Sequence, residues 1–136
     1  MAKYSDDFIQ FDLPRDWVDK SVIAYAAPER EDGSCAGSVV LTRELFGADL
    51  RAFIERRLLS ISQRSDGFVL REQRQEELAG RPSWVIDYLT AQAVQRLAVV
   101  DLDGQLAAVV TLSTSHADAE GMAPLFERML ASLELS

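Results

Sequence analysis

One histidine, His116, and one cysteine, Cys35, stand alone of their kinds in 136 residues. A metal site gathers several Cys, His or carboxylate ligands at set spacings, and neither residue has such partners. Ser115 precedes His116, but no G-x-S-x-G elbow or related motif marks a Ser-His-Asp relay. His116 therefore reads as a solvent-exposed turn residue. Asp101 and Asp103 could be paired carboxylates, yet Asp103-Gly104 is explained as a hairpin turn and Asp101 as its flank. The glycines are dispersed from Gly33 to Gly121, so none form a phosphate-cradling loop. Trp17 and Trp84 read as core or rim aromatics rather than a base-stacking platform. No catalytic residue, metal or cofactor is expected, and no enzyme.

The charge balance points away from nucleic acid as well. Fourteen Lys and Arg against 22 Asp and Glu give a net charge of −8, whereas phosphate binding is driven by cations that release counterions. Arg51, Arg56 and Arg57 cluster, but Glu55 sits among them. Arg71, Arg74 and Arg81 alternate with Glu72, Glu76 and Glu77, as on a solvated face. Met1 to Asp7 is polar and has no apolar signal core. The apolar run Leu106 to Leu112 is too short to span a bilayer. With a single cysteine besides, a cytoplasmic location is expected, without direct membrane insertion.

The elements that would carry any site read as one domain over residues 1–136, with no linker or repeat. Tyr4 to Leu13 reads as a first strand, Lys20 to Ala27 as a second and Ala36 to Glu44 as a third. Leu50, Phe53, Ile54, Leu58 and Ile61 recur at helical spacing, which predicts a helix over Ala48 to Arg64. Two hairpins should follow: Phe68–Leu78 with Arg81–Leu89 about Ala79-Gly80, and Val94–Leu102 with Gln105–Thr114 about Asp103-Gly104. Met122, Leu125, Phe126, Met129, Leu130 and Leu133 stripe a last helix from Ala117 to Leu133. Pro124 suits only a first turn, so the regular helix is expected to begin there. This order predicts an α+β fold, an antiparallel sheet packed by two amphipathic helices.

The strands are less polar than such a sheet needs if helices cover one face only. Leu106, Ala108, Val110 and Leu112 oppose Ala107, Val109, Thr111 and Ser113; Val39 and Leu41 oppose Ser38, Val40 and Thr42. With both helices on one side, the other becomes a shallow surface of Ala, Val, Ser and Thr. It could pack a crossing strand, line a dimer interface, or receive an apolar helix, since small side chains permit close approach.

Several short motifs fall in a familiar order. They are Phe11-Asp12-Leu13-Pro14, Asp19-Lys20-Ser21-Val22, Ser38 to Glu44, Leu50 to Leu58, Gly67 to Leu70, Leu78 to Pro82, Gln95-Arg96 and Phe126 to Leu133. Together they resemble the DcrB-related family and, within it, the Eag-type chaperones of type VI secretion. The resemblance implies a Mog1/PsbP-like fold, a homodimer and no catalytic activity. It implies a partner: the N-terminal transmembrane helices of a secreted effector, shielded in the cytosol until loading on the VgrG spike. It also implies that Val22, Ala24, Ser38, Val40 and Thr42 line the binding groove, with Gln95 a polar contact. Where the family often has Gln in the first helix, this chain has Arg57. The rival reading is a dimeric interaction or immunity-type module that binds a folded partner through the Arg51/Glu55 side.

Overall fold

The structure, a computed structural model, describes residues 2–5, 8–16, 22–47 and 49–135. Trp17, Asp19, Lys20, Ser21 and Ala48 lie outside them. Eight strands and two helices run in the order β1 (Ala2–Ser5), β2 (Gln10–Leu13), β3 (Val22–Ala26), β4 (Gly37–Leu45), α1 (Leu50–Arg64), β5 (Val69–Leu78), β6 (Arg81–Leu89), β7 (Val94–Asp101), β8 (Leu106–Thr114) and α2 (Ala119–Ala131). The α+β architecture expected from the sequence is present.

The first expected strand is instead a hairpin. β1 and β2 pair antiparallel, with Ala2 opposite Leu13 and Tyr4 opposite Phe11. Phe8 and Phe11 are three residues apart, and a spacing of three cannot lie on one face of a period-two strand. The other six strands form one antiparallel sheet in the order β3-β4-β8-β7-β6-β5.

That order decides where the helices go. Successive reversals make β4 and β5 parallel to each other, with β8, β7 and β6 between them. A connection between parallel strands must cross the sheet, and α1 makes this crossing over the three intervening strands. Its buried Ile54 and Leu58 pack on Ile86, Tyr88, Leu97, Val99, Ala107 and Val109. Each such aliphatic side chain contributes about 1.5–3 kcal/mol when fully buried. Asp49 caps this helix by accepting a hydrogen bond from the Ala52 N–H at 3.2 Å.

α2 takes the opposite face. Phe126 and Leu130 pack with Val85, Ala98, Val100, Val110 and Leu112, residues that alternate with the α1 set. The expectation that both helices cover one face is thus overturned. β7 and one end of β8 lack polarity because they are roofed on both sides. Gly37 permits the close fit of α2: a Cβ there would lie 2.7 Å from the Met122 methyl and 3.1 Å from the Ser113 carbonyl oxygen.

Two local expectations also change. α2 begins at Ala119, so Pro124 sits inside the helix. The backbone bond from position 124 to Glu120 is lost, but Glu120 is exposed and water can satisfy its carbonyl. In the β7–β8 connection only Gly104 has positive φ, and Asp103 instead accepts from the N–H groups of Gln105 and Leu106. The two-residue turn with both central φ positive occurs at Ala79 (φ 54°) and Gly80 (φ 74°).

Candidate functional site

Side chains directly opposite in an antiparallel ladder share a face, so the register assigns the expected site residues. Val22 faces Thr42, and Ala24 faces Val40. Across the next ladder Thr42 faces Val109, Val40 faces Thr111 and Ser38 faces Ser113. Ser113 in turn faces Gln95. Val22, Ala24, Ser38, Val40, Thr42 and Gln95 therefore all project from the α1 side of the sheet.

α1 roofs only part of this face, over β6, β7 and one end of β8. Beyond it β3, β4 and the rest of β8 form an open shelf. Val22 is 61% exposed, Ala24 is exposed, and Ser38, Val40, Thr42, Thr111 and Ser113 are half-buried. Among the described residues the floor of Val22, Ala24, Ala26, Ser38, Val40 and Thr42 carries no charge, and Glu44 follows on the same face of β4 at its α1 end. The shelf is apolar with scattered hydroxyls.

Polar groups stand along its border with α1. Arg57 donates through Nη1 to both Glu44 carboxylate oxygens, at 3.0 and 2.8 Å, and Glu44 also accepts from the Thr42 hydroxyl at 2.8 Å. At the other end the Tyr88 hydroxyl donates to Gln95 Oε1 at 2.5 Å, and Gln95 Nε2 donates to Ser113 Oγ at 2.7 Å. Burial raises the Tyr88 pKa, which keeps the phenol a donor at neutral pH. The Gln95 amide retains one N–H and one lone pair after these bonds. A cavity of about 300 Å³ opens beside it, lined by Arg57, Ile61, Arg64, Tyr88, Leu97 and Thr111 among others.

The pairing of Glu44 with Arg57 was missed in the sequence. Thirteen residues separate the two, and their meeting depends on the angle at which α1 leaves β4. A second missed feature lies on the opposite face. A groove of about 200 Å³ with apolar walls runs between β3–β4 and α2, lined by Ile23, Tyr25, Leu41, Met129 and Leu133 among others.

The side chains weighed for chemistry are scattered. His116 Nε2 is 2.7 Å from the Thr90 carbonyl oxygen, which fixes that nitrogen as the N–H donor. Cys35 is exposed. Among the described residues no three His, Cys, Asp or Glu converge to hold a metal ion. Trp84 packs against the cluster under α1. No helix of the described residues is long and apolar enough to cross a membrane.

The fold has solved counterparts. A protein of unknown function from Pseudomonas aeruginosa, PA94, superposes with a TM-score of 0.78 at 19% identity, over 100% of this chain and 97% of that one. The solution structure of the cyanobacterial PsbP protein of Synechocystis sp. PCC 6803 matches with a TM-score of 0.57 at 16% identity, over 96% of this chain and 89% of that one. This likeness shows the PsbP-like fold. No curated protein matches the sequence significantly. The DcrB family model matches residues 9–132, and the chain belongs to the DcrB family.

Proposed function

We propose that the shelf seats an apolar helix of a partner protein. On this reading the chain is a cytoplasmic, non-enzymatic adaptor chaperone of the Eag type. It shields the N-terminal transmembrane segments of a type VI secretion effector until loading on the VgrG spike. The observation that carries the proposal is the apolar floor beside α1, to which five of the six expected groove residues contribute, with the sixth, Gln95, at its border.

Its dimensions support a helical guest. Three strands spaced by about 4.8 Å make a floor roughly 10–14 Å wide, close to the 10–12 Å diameter of a helix with its side chains. A transmembrane segment of about 20 apolar residues cannot stay exposed in water, and covering its surface contributes about 25 cal/mol per Å2. Gln95 and the hydroxyls of Ser38, Thr42 and Thr111 can bond to polar groups of the guest. A net charge of −8 on the remaining surface helps keep such a holder soluble.

The test is co-expression with an effector N-terminal fragment that carries its membrane helices. The native chain should yield a soluble complex. Val40→Asp and Ser38→Arg should abolish it while circular dichroism and thermal melting still report a folded chain, because each places an unpaired charge under an apolar guest. Soluble complex recovered from both variants would contradict the seat.

A further inference from the structure

The cavity beside Gln95 carries charge of one sign. Arg57 and Arg64 stand in its walls with Tyr88 and Thr111, and among the described residues no carboxylate lines it. A larger cavity of about 560 Å³, against the start of α2, instead sets Arg71 and Arg96 among Glu72, Asp87 and Glu120. A cationic lining runs against the average of a chain with net charge −8. Its donors are also unspent. Arg57 reaches Glu44 through Nη1, and Arg64 donates through Nε to the Ser60 carbonyl at 3.2 Å. A guanidinium has more N–H groups than these bonds use. Among the described residues Arg64 makes no ion pair. Burial raises the Tyr88 pKa while Arg57 and Arg64 act to lower it, so both guanidiniums bear on the phenol in the cavity wall.

We infer that this cavity receives a carboxylate, supplied by an aspartate or glutamate side chain of the partner helix. The source of the carboxylate rests on the shelf being the guest site. Thr111 belongs to both, as the neighbour of Val40 in the sheet and as a wall of the cavity. A helix on the shelf therefore passes the cavity mouth. Guanidinium N–H groups bind carboxylates through charge-assisted hydrogen bonds, and the spare Gln95 N–H adds a neutral one. Ile61 and Leu97 offer apolar wall to the methylenes that lead to the acid. A bare inorganic anion would gain nothing from them.

The consequence is selection among apolar helices. Burial on a floor of Ala, Val, Ser and Thr is non-directional and separates such helices poorly. An ionised acid in a membrane segment is costly to cover unless it is paired, and the cavity pairs it at the shelf border. A lysine at the same place would meet two guanidiniums. The site thus discriminates by the sign of one charge, with a repulsive element as well as an attractive one.

Labelled peptides test the selection, and a small carboxylate tests the cavity alone. Three Leu/Ala peptides of about 20 residues, alike but for one central Glu, Gln or Lys, are titrated with the chain in dilute nonionic detergent at neutral pH. The Glu peptide should bind about tenfold more tightly than the Gln peptide, and the Lys peptide most weakly. Arg64→Gln, at an exposed position, should reduce that ratio to about threefold and leave the Gln peptide's affinity unchanged. With no peptide present, butyrate at constant ionic strength should shift the side-chain N–H resonances of Arg64 and Gln95, and at lower concentration than acetate. Equal binding of the Glu and Gln peptides overturns the carboxylate assignment and leaves the shelf standing. So does an Arg64→Gln variant that weakens both peptides alike, or a response to inorganic phosphate with none to butyrate. Butyrate shifts with no peptide bound would overturn the shelf, and the partner as the acid's source, while the carboxylate cavity stands.

Discussion

Gln95 and Arg96 are neighbours that serve opposite faces, and the alternation of a strand is the whole reason. Gln95 joins Tyr88 and Ser113 at the shelf border. Arg96 turns to the α2 side, where Nε and Nη2 donate to the two Asp87 oxygens at 2.7 and 3.2 Å. Arg74 reaches the same carboxylate at 3.3 Å. Asp87 thus balances two guanidiniums, and Arg96 is only 14% exposed. Asp87→Ala should cost about 2–3 kcal/mol in chemical denaturation, somewhat below the range for fully buried pairs because water reaches part of the cluster. Loss of under half a kcal/mol would show that the cluster is solvated. The paired residue Gln95-Arg96 could be picked out in the sequence, but not its division of labour with Asp87, because a carboxylate nine residues away meets Arg96 only once β6 and β7 are in register.

Among the elements, the β5–β6 turn carries a visible strain. Ala79 sits at φ 54°, a left-handed conformation that costs an L-residue about 1–2 kcal/mol. Asn tolerates it better, so Ala79→Asn should raise stability by about 0.5–1 kcal/mol, read as a higher denaturation midpoint at unchanged slope. After this turn Arg81 donates to the carbonyls of Asp101 and Leu102 at 2.9 and 2.7 Å, which pins the end of β7. Element existence was legible nearly everywhere, since helical stripes and period-two strands are local. The exceptions are instructive. Asp103-Gly104 has the stronger turn composition, yet Arg81 holds the chain beyond β7 and Asp101 accepts from the Gly104 N–H, so a wider loop forms. Pro124 is carried inside α2 because Met122, Phe126, Met129 and Leu130 keep their packing on either side of it.

At the scale of the molecule, the sequence could not say which face each helix takes. That depends on strand order: β8 inserts beside β4, and α1 must then cross to reach β5. The low polarity of β7 and β8 therefore has two causes, a roof on both sides over most of their length and an open shelf over the remainder. Surface charge has its own signature. The Arg30 hydrogen bonds hold Asp118 below the usual carboxylate range, a hydroxyl bond from Ser34 does the same for Asp32, and backbone N–H groups from Leu106 and Gln105 do so for Asp103. A depressed folded-state pKa stabilises above the ordinary value of about 4 and ceases to do so as pH falls through the folded value. The melting temperature should therefore be level near neutrality with respect to these groups and decline below about pH 4, with a shallower decline in Asp118→Asn.

The central claim is that an apolar helix lies on the β3–β4–β8 floor, and photocrosslinking tests it at the floor itself. A photoreactive side chain introduced by Val40→benzoylphenylalanine should capture the effector's membrane helix on irradiation. The same group introduced at Leu59, exposed on the outer side of α1, should capture none. Capture at Leu59 with none at Val40 would contradict the account.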